Sequence, residues 1–438
     1  MTRADEIIVK NILVDTGLGK GIEEYGNMGD VSMLQVAVDR LHRLFPEACI
    51  NVLTDSAENL ARFCPAAKPL DNFGRSTLFG SGVLLGRYTD SAPRWLVSLL
   101  LRFKRTIGSQ FPQLLRAIAV WTLKYRNRPA GAASVTAFAH ALQNADLLLI
   151  CGTGGFYDGC QAWNLDILDL VDAAIQRKIP VAMLGLGFGP LSDPVVLNRA
   201  AKVLPQVNLI TLRGNRGSLD ILRSLGIPES KLEVTGDEAL ELAYESRSEE
   251  RGRGLGINIR FLASAWTDDD DIKAIRPVLQ DFARRQGVPL VPLPIAIQVH
   301  TRDDLAIKQI LIGFDEQSDG GKTLDYPLKV IRQAALCRVV VTGAYHAAVF
   351  ALAQGIPVVA LAKSAYFSSK FLGLEDQFGE GCQTILLNEP DLPQRLHSAI
   401  ESAWQDADRH REPLQAAALR QIESSQKSYL RLKDLVAG

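Results

Sequence analysis

The run Asp146-Leu147-Leu148-Leu149-Ile150-Cys151, followed at once by Gly152-Thr153-Gly154-Gly155-Phe156, decides how this chain is read. A short, wholly apolar run bounded by an acid and a glycine cluster lacks period-two alternation, so it reads as a strand buried on both faces. The glycines put a tight corner at its carboxyl end, the place where open α/β sheets bind ligands. Outward from this strand the pattern repeats. Upstream, residues 7–14 (IIVKNILV) and 50–53 read as strands, and Val31, Leu34, Val38 and Leu41 recur at helical spacing, which predicts a helix over 30–44. Downstream come a helix over 165–177, a strand over 180–186, a helix over 194–204, a strand over 209–212, a helix over 217–225 and a strand over 232–234. Apolar strands alternating with helices predict a parallel sheet covered on both faces.

The apolar pattern stops in a charged, glycine-containing stretch, 245–254 (ESRSEERGRG), and then restarts. The second half carries strands over 255–259, 289–293, 339–341 and 357–361. Its helices fall over 270–285, 303–311, 326–337 and 347–353, near Phe367, and across 391–432. A chain of 438 residues is too long for one core. The expected architecture is α/β, with two Rossmann-like domains (1–248 and 254–438) facing a central cleft as in glycosyltransferase-B enzymes. The carboxyl-terminal helices belong to the second domain. No repeat of fixed period points to a solenoid.

Composition narrows the function. Hydrophobic residues make up 47% and charged residues 22%, ordinary for a folded protein, and the formal net charge of −1 draws nothing toward nucleic acid. The six cysteines are scattered, with no C-x-x-C pair, and read as reduced thiols. No metal site is expected. The longest apolar stretches fall short of the ~20 residues needed to span a bilayer, so a cytoplasmic protein is expected. One segment adds peripheral contact with the inner membrane face. Residues 86–129 carry nine basic residues and a single acid, Asp90, interleaved with Trp95, Phe103, Phe111, Trp121 and Tyr125. This insertion reads either as surface helices with solvated charges or as a basic amphipathic surface for anionic membrane or a lipid-diphosphate acceptor.

Several corners carry residues fit for chemistry. Gly26-Asn27-Met28-Gly29-Asp30 precedes a helix; Asp30 suits its N-cap, and the free N–H groups there suit an anion. The same residues also fit a plain strand-to-helix turn. Gly154 and Gly155 form the corner already quoted, and Gly185-Leu186-Gly187-Phe188-Gly189-Pro190 forms another. Thr342-Gly343-Ala344-Tyr345-His346 ends a strand and opens a helix, so His346 fits a general acid or base, or a packing role. His300 follows a proline-rich strand end close to Asp303 and Asp304, while His42, His140, His397 and His410 read as structural.

The order of these corners resembles the polysaccharide pyruvyl transferase family. The matching motifs are N-M-G-D, I-C-G-T-G-G, G-L-G-F-G-P, Leu212-Arg213-Gly214-Asn215-Arg216-Gly217 and Val234-Thr235-Gly236-Asp237. The segment TGAYHAAVFALAQGIPVVALAKSAYFSSKFLGL follows in the second half. The resemblance implies a transferase of cell-surface glycan synthesis. It would take phosphoenolpyruvate as donor and a sugar or lipid-linked sugar as acceptor, without a cofactor. It further implies donor binding by Arg213, acid–base work by His346, phosphate contacts from Lys363 and Lys370, and substrate contacts around Asn27, Gly29, Asp30, Gly154 and Gly155. One departure stands out. The family's arginine two residues before the histidine is Ala344 here, so either Lys363 or Arg338 substitutes, or the donor differs, or activity is lost. The alternative function on this architecture is a nucleotide-sugar-dependent glycosyltransferase with its nucleotide around 343–346 and Lys363.

Overall fold

The computed structural model describes residues 9–16, 26–80, 103–104, 106–108, 111–152, 154–260, 269–298 and 301–437. The first sheet is built from β1 (Asn11–Asp15), β2 (Cys49–Thr54), β3 (Lys68–Asp71), β4 (Leu147–Cys151), β5 (Val181–Leu186), β6 (Leu209–Leu212) and β7 (Leu232–Val234). Its order is β3-β2-β1-β4-β5-β6-β7, parallel at every pairing. The second sheet takes β8 (Gly254–Asn258) and β9 (Leu290–Pro292). After the small antiparallel pair β10 (Ile297–Gln298) and β11 (Thr301–Arg302) it adds β12 (Cys337–Thr342), β13 (Val358–Ala362) and β14 (Cys382–Leu386), in the order β14-β13-β12-β8-β9.

Strand β4 shows why its sequence is apolar throughout. Leu148 and Ile150 enter one core cluster while Leu147, Leu149 and Cys151 enter another, so helices cover both faces of the sheet. Strand order reverses between β1 and β4 in the first sheet and between β12 and β8 in the second. Each reversal opens a crevice at the carboxyl ends of the strands. The segments leaving those ends hold Gly154 in one domain and Arg260 and His346 in the other.

Three departures from the sequence pattern have physical causes. The strands β3 and β14 carry no strong apolar run because each is an edge strand, and only Leu70 of Lys-Pro-Leu-Asp is buried in β3. The stretch 391–432 is two helices, Leu392–Gln405 and Ala407–Ala437, that meet at Asp406. The first of the site helices is Met28–Leu44 with Asn27 as its N-cap, so Asp30 lies in the first turn rather than at the cap. Of the basic insertion, 86–102, 105 and 109–110 lie outside the described residues. What is described includes the helix Pro112–Tyr125, followed by Pro129–Gln143.

The last helix joins the two domains. Leu414, Ala418 and Ile422 pack in the second domain's core, while Tyr429 and Leu432 pack with Val31, Leu34 and Leu41 under the first sheet. At this seam the buried Arg40 donates to Glu241 and, over 2.7 Å, to the Ser425 hydroxyl, and Tyr429 donates to Glu238 over 2.6 Å. Burial, offset in part by Arg40 and the Tyr429 bond, pushes the Glu238 carboxyl up to about 7. Arg40→Met leaves the Glu241 carboxylate buried without its partner. It is expected to cost about 3–5 kcal/mol, read as a lower denaturant midpoint, and the double variant Arg40→Met/Glu241→Leu should regain most of the loss.

Candidate active site

Two loops bring the helix Met28–Leu44 against the second domain. Gly26 takes a positive φ of 64°, and the Asn27 side chain accepts the Gly29 N–H over 3.0 Å. The Met28 N–H then donates to the Ile295 carbonyl over 2.8 Å, and Asn27 pairs with Ala296 across the domain boundary. Gly29 is a glycine for a steric reason. A Cβ there would fall inside the imidazole of His346, which opens the helix Tyr345–Ala353 after β12.

Around that contact lies a buried charge cluster. Arg213 leaves the end of β6 only 4% exposed, lies 3.4 Å from Asp237 Oδ2, and stacks its guanidinium 4.5 Å from the centre of the Tyr345 ring. The same Asp237 oxygen is 3.6 Å from His346 Nε2, too long for a hydrogen bond, and that nitrogen has no hydrogen-bond partner among the described residues. Lys370 donates to the Tyr366 hydroxyl, which donates to the Gly154 carbonyl over 2.7 Å and so ties the second domain to the first. Tyr157 of the first domain stacks on Tyr366 with centroids 4.2 Å apart. Glycines make room for the cations: a Cβ at Gly154 would stand 2.8 Å from Lys370 Nζ, and one at Gly187 would stand 2.9 Å from Arg213 Nε.

The charges set one another. Burial raises the Asp30 carboxyl above its ordinary range, although His346, Arg213, Lys370 and Arg260 pull the other way. Burial acts on Asp237 in the same direction, but His346, Arg213 and the Ala239 N–H override it and hold this carboxyl low. Burial, with Arg213 and Arg260 adding to it, holds the Lys370 ammonium well below the usual lysine range, against the opposing pull of Asp30 and Asp237. The two carboxyls are thus pushed in opposite directions, Asp30 up and Asp237 down.

Asn27, Gly29, Asp30, Gly154, Arg213, His346 and Lys370 therefore come together. Gly155 sits a step away, where a Cβ would meet the Trp163 ring at 2.5 Å. Lys363 does not join them; its ammonium pairs with Asp271 at 2.8 Å. His300 lies outside the described residues. Its neighbour Asp303 accepts the Ile295 and Ala296 N–H groups, and Asp304 pairs with Arg302, so both carboxylates are engaged in holding the loop. Arg338 cannot stand in for the arginine missing at Ala344. It sits near the amino end of β12, the end away from the cleft, and binds Asp408 at 2.9 Å.

The sequence reading missed Arg260, whose backbone nitrogen would lie 3.4 Å from a Cβ at Gly343, the residue before Ala344. The available signal was its place two residues past β8, at a strand's carboxyl end. Asp237, Tyr345 and Tyr366 were legible only as parts of longer motifs.

Two parallel α/β domains with a polar crevice between their strand ends define the glycosyltransferase-B type of fold. The solved structures it resembles agree. One is a UDP-N-acetylglucosamine 2-epimerase from Neisseria meningitidis bound to UDP-GlcNAc, with TM-score 0.54 and 12% identity over 98% of this chain and 99% of that one. Another is a glycosyltransferase from Rickettsia africae ESF-5, with TM-score 0.51 and 9% identity over 98% of each chain. At such identities the likeness is one of fold. The model of the polysaccharide pyruvyl transferase family matches residues 27–364, and the chain belongs to that family. No curated protein matches it. Among the described residues no helix is long and apolar enough to cross a membrane.

The Gly29–His346 contact can be tested by stability alone. Gly29→Ala is expected to cost about 1–3 kcal/mol of overpacking, and most of that should vanish in the background of His346→Ala. A double-mutant cycle on denaturant midpoints measures the coupling, and additive costs would show that the two residues do not touch.

Proposed function

We propose that this chain moves the pyruvyl group of phosphoenolpyruvate onto two hydroxyls of a sugar, free or lipid-linked, in the synthesis of a cell-surface glycan. The observation that supports this reading most is the packing of Arg213 and Lys370 around the glycine-walled crevice, with Arg260 close enough to act on Lys370. The donor carries a carboxylate and a phosphate on one small carbon frame, and a fixed guanidinium fork with a nearby ammonium suits that pair of anions. In this reading Arg260 and Lys370 supply the charge that the family places at the position of Ala344.

The reaction needs three proton transfers. In the first step a sugar hydroxyl bonds to C2 of the enol phosphate, gives up its proton, and C3 takes a proton to become a methyl group. In the second, a neighbouring hydroxyl bonds to C2, its proton passes to the departing phosphate as the C2–O bond breaks, and the cyclic ketal closes. Asp30, whose carboxyl burial pushes up, is the donor to C3 in this proposal, and His346, with Nε2 unengaged among the described residues, accepts the proton of the attacking hydroxyl. Asp237 keeps Arg213 and His346 in place without reacting. A nucleotide-sugar reaction would seat its nucleotide at 343–346 and Lys363. Here His346 lies packed against Gly29 and Lys363 is held by Asp271, which favours the first reading.

Phosphoenolpyruvate, and not a nucleoside diphosphate, should raise the melting temperature, and phosphate should be released when a suitable sugar is present. Arg213→Ala should mainly weaken donor binding, Arg213→Lys should recover only part of it, and His346→Ala should lower turnover by roughly 10²–10⁴. Neither donor binding nor phosphate release across a panel of sugars would overturn the proposal.

Lys370 adds a pH signature. Burial and Arg213 hold its ammonium down, and a bound anion restores the charge, so binding takes up a proton between that depressed value and the ordinary ~10.4. Donor affinity should therefore fall as pH rises through this window. Calorimetry in buffers of different ionisation heat reads the uptake, which Lys370→Met should abolish.

A further inference from the structure

The helix Pro112–Tyr125 shows two apolar faces. Leu115, Ala119 and Leu123 point inward and are buried. Leu114, Ile118, Trp121 and Tyr125, with Phe111 just ahead of the helix, recur at spacings of three and four and form an outer stripe open to solvent. Trp121 is 67% and Tyr125 80% exposed, and the two rings stack 5.6 Å apart at the end of the stripe. Phe103 is exposed as well. Core packing explains the inner face, and among the described residues nothing covers the outer one.

Charge says what fits against it. The exposed Lys124, Arg126 and Arg128 flank the aromatic end, and from Ser91 to Ala145 the sequence holds eight basic residues and no acid. The chain as a whole is balanced, with 48 basic and 49 acidic residues, so this excess is local. A second copy of the chain meeting stripe to stripe would set this positive surface against itself. A bilayer rich in anionic lipid offers opposite charge at the headgroups and an apolar layer beneath them, matching both features.

The position of the patch relates it to the cleft. The helix Pro129–Gln143 begins beside Phe73, whose ring would be 2.6 Å from a Cβ at Gly131, and the Ser134 hydroxyl donates to the Asp71 carbonyl over 3.4 Å. Asp71 is the last residue of β3, so the aromatic end of the stripe stands at the same carboxyl edge of the sheet as Gly154 and Arg213. We propose that the outer face of Pro112–Tyr125, with Lys124, Arg126 and Arg128, docks this protein on an anionic lipid bilayer with the cleft edge turned toward the headgroups. This orientation suits an acceptor carried on a lipid, but the docking itself stands whichever reaction the cleft performs.

The test uses the full chain without donor, sedimented with vesicles of phosphatidylcholine alone and of three parts phosphatidylcholine to one part phosphatidylglycerol. Binding should be confined to the anionic vesicles. It should weaken as added salt shortens the screening length below the ~8–10 Å of physiological strength. Trp121→Ser/Tyr125→Ser should lower vesicle affinity roughly tenfold or more. Lys124→Gln/Arg126→Gln/Arg128→Gln should lower it roughly a hundredfold, at about fivefold per basic residue. All five side chains are exposed, so unchanged melting temperatures would show that the variants fold. Equal partition onto both vesicles, or none onto either, would overturn the proposal. So would light scattering that shows a dimer dissociated by Trp121→Ser/Tyr125→Ser while vesicle binding persists.

Discussion

A guanidinium taken out of water costs several kcal/mol unless a fixed counter-charge meets it, and in this molecule Asp237 is that counter-charge for Arg213. Its carboxylate, pinned by the Ala239 N–H over 2.9 Å, lies beside Arg213 from its own domain and His346 from the other. Much of the local sequence follows from that arrangement. Arg213 needs a flat neighbour on its open face and finds the Tyr345 ring; it needs space and finds Gly154 and Gly187. His346 occupies the volume a side chain at Gly29 would take. The glycine-rich corners are thus less a phosphate-binding signature than the clearance that a cluster of large charged side chains requires.

The domains are held together around this cluster by polar contacts of different depth. Arg216 grips Asp376 bidentately at 2.7 and 2.9 Å on the cleft's outer side, and the Gln377 amide donates to the Arg213 carbonyl over 2.7 Å. Inside, Tyr366 bonds to Gly154. Helices from the second domain therefore reach the backbone that carries the first domain's arginine, so any hinge motion moves Arg213 relative to Lys370 and His346.

Much of this was legible because buried parallel strands announce themselves. The strand β6 and the helix Asp303–Leu311 fall on the residues that the apolar pattern marked, since β6 is buried along its whole length and the helix turns its apolar side into the second core. The pattern failed at β3 and β14, whose outer edges face solvent and need no continuous apolar run. It failed at the cap of Met28–Leu44 for a chemical reason. Asn and Asp cap almost equally well, so sequence alone could not choose Asn27 over Asp30. Lysines were the hardest to place. Lys363 and Lys370 lie seven residues apart in one motif, yet a single carboxylate, Asp271, draws one of them away from the cleft. Arg260 had no motif at all, and only the neighbouring ends of β8 and β12 bring it to Gly343.

The helix Ala407–Ala437 crosses from the second core to the first, and this has a consequence for how the protein is made. Ser425, which takes a hydrogen bond from Arg40, is 385 residues farther along the chain. At roughly 5–20 residues per second, a ribosome reaches it some 20–80 s after Arg40. Once β7 has emerged, about halfway through that interval, the first sheet is complete, yet the floor beneath it lacks Tyr429 and Leu432, and Val31, Leu34 and Leu41 are without their cover. The half of the molecule translated first is the half sealed last, so the nascent chain carries an open apolar surface for as long as the second half takes to emerge. A chaperone that shields such surfaces has its natural target there, and a message truncated within its last codons yields a protein with both sheets formed and its first core still open.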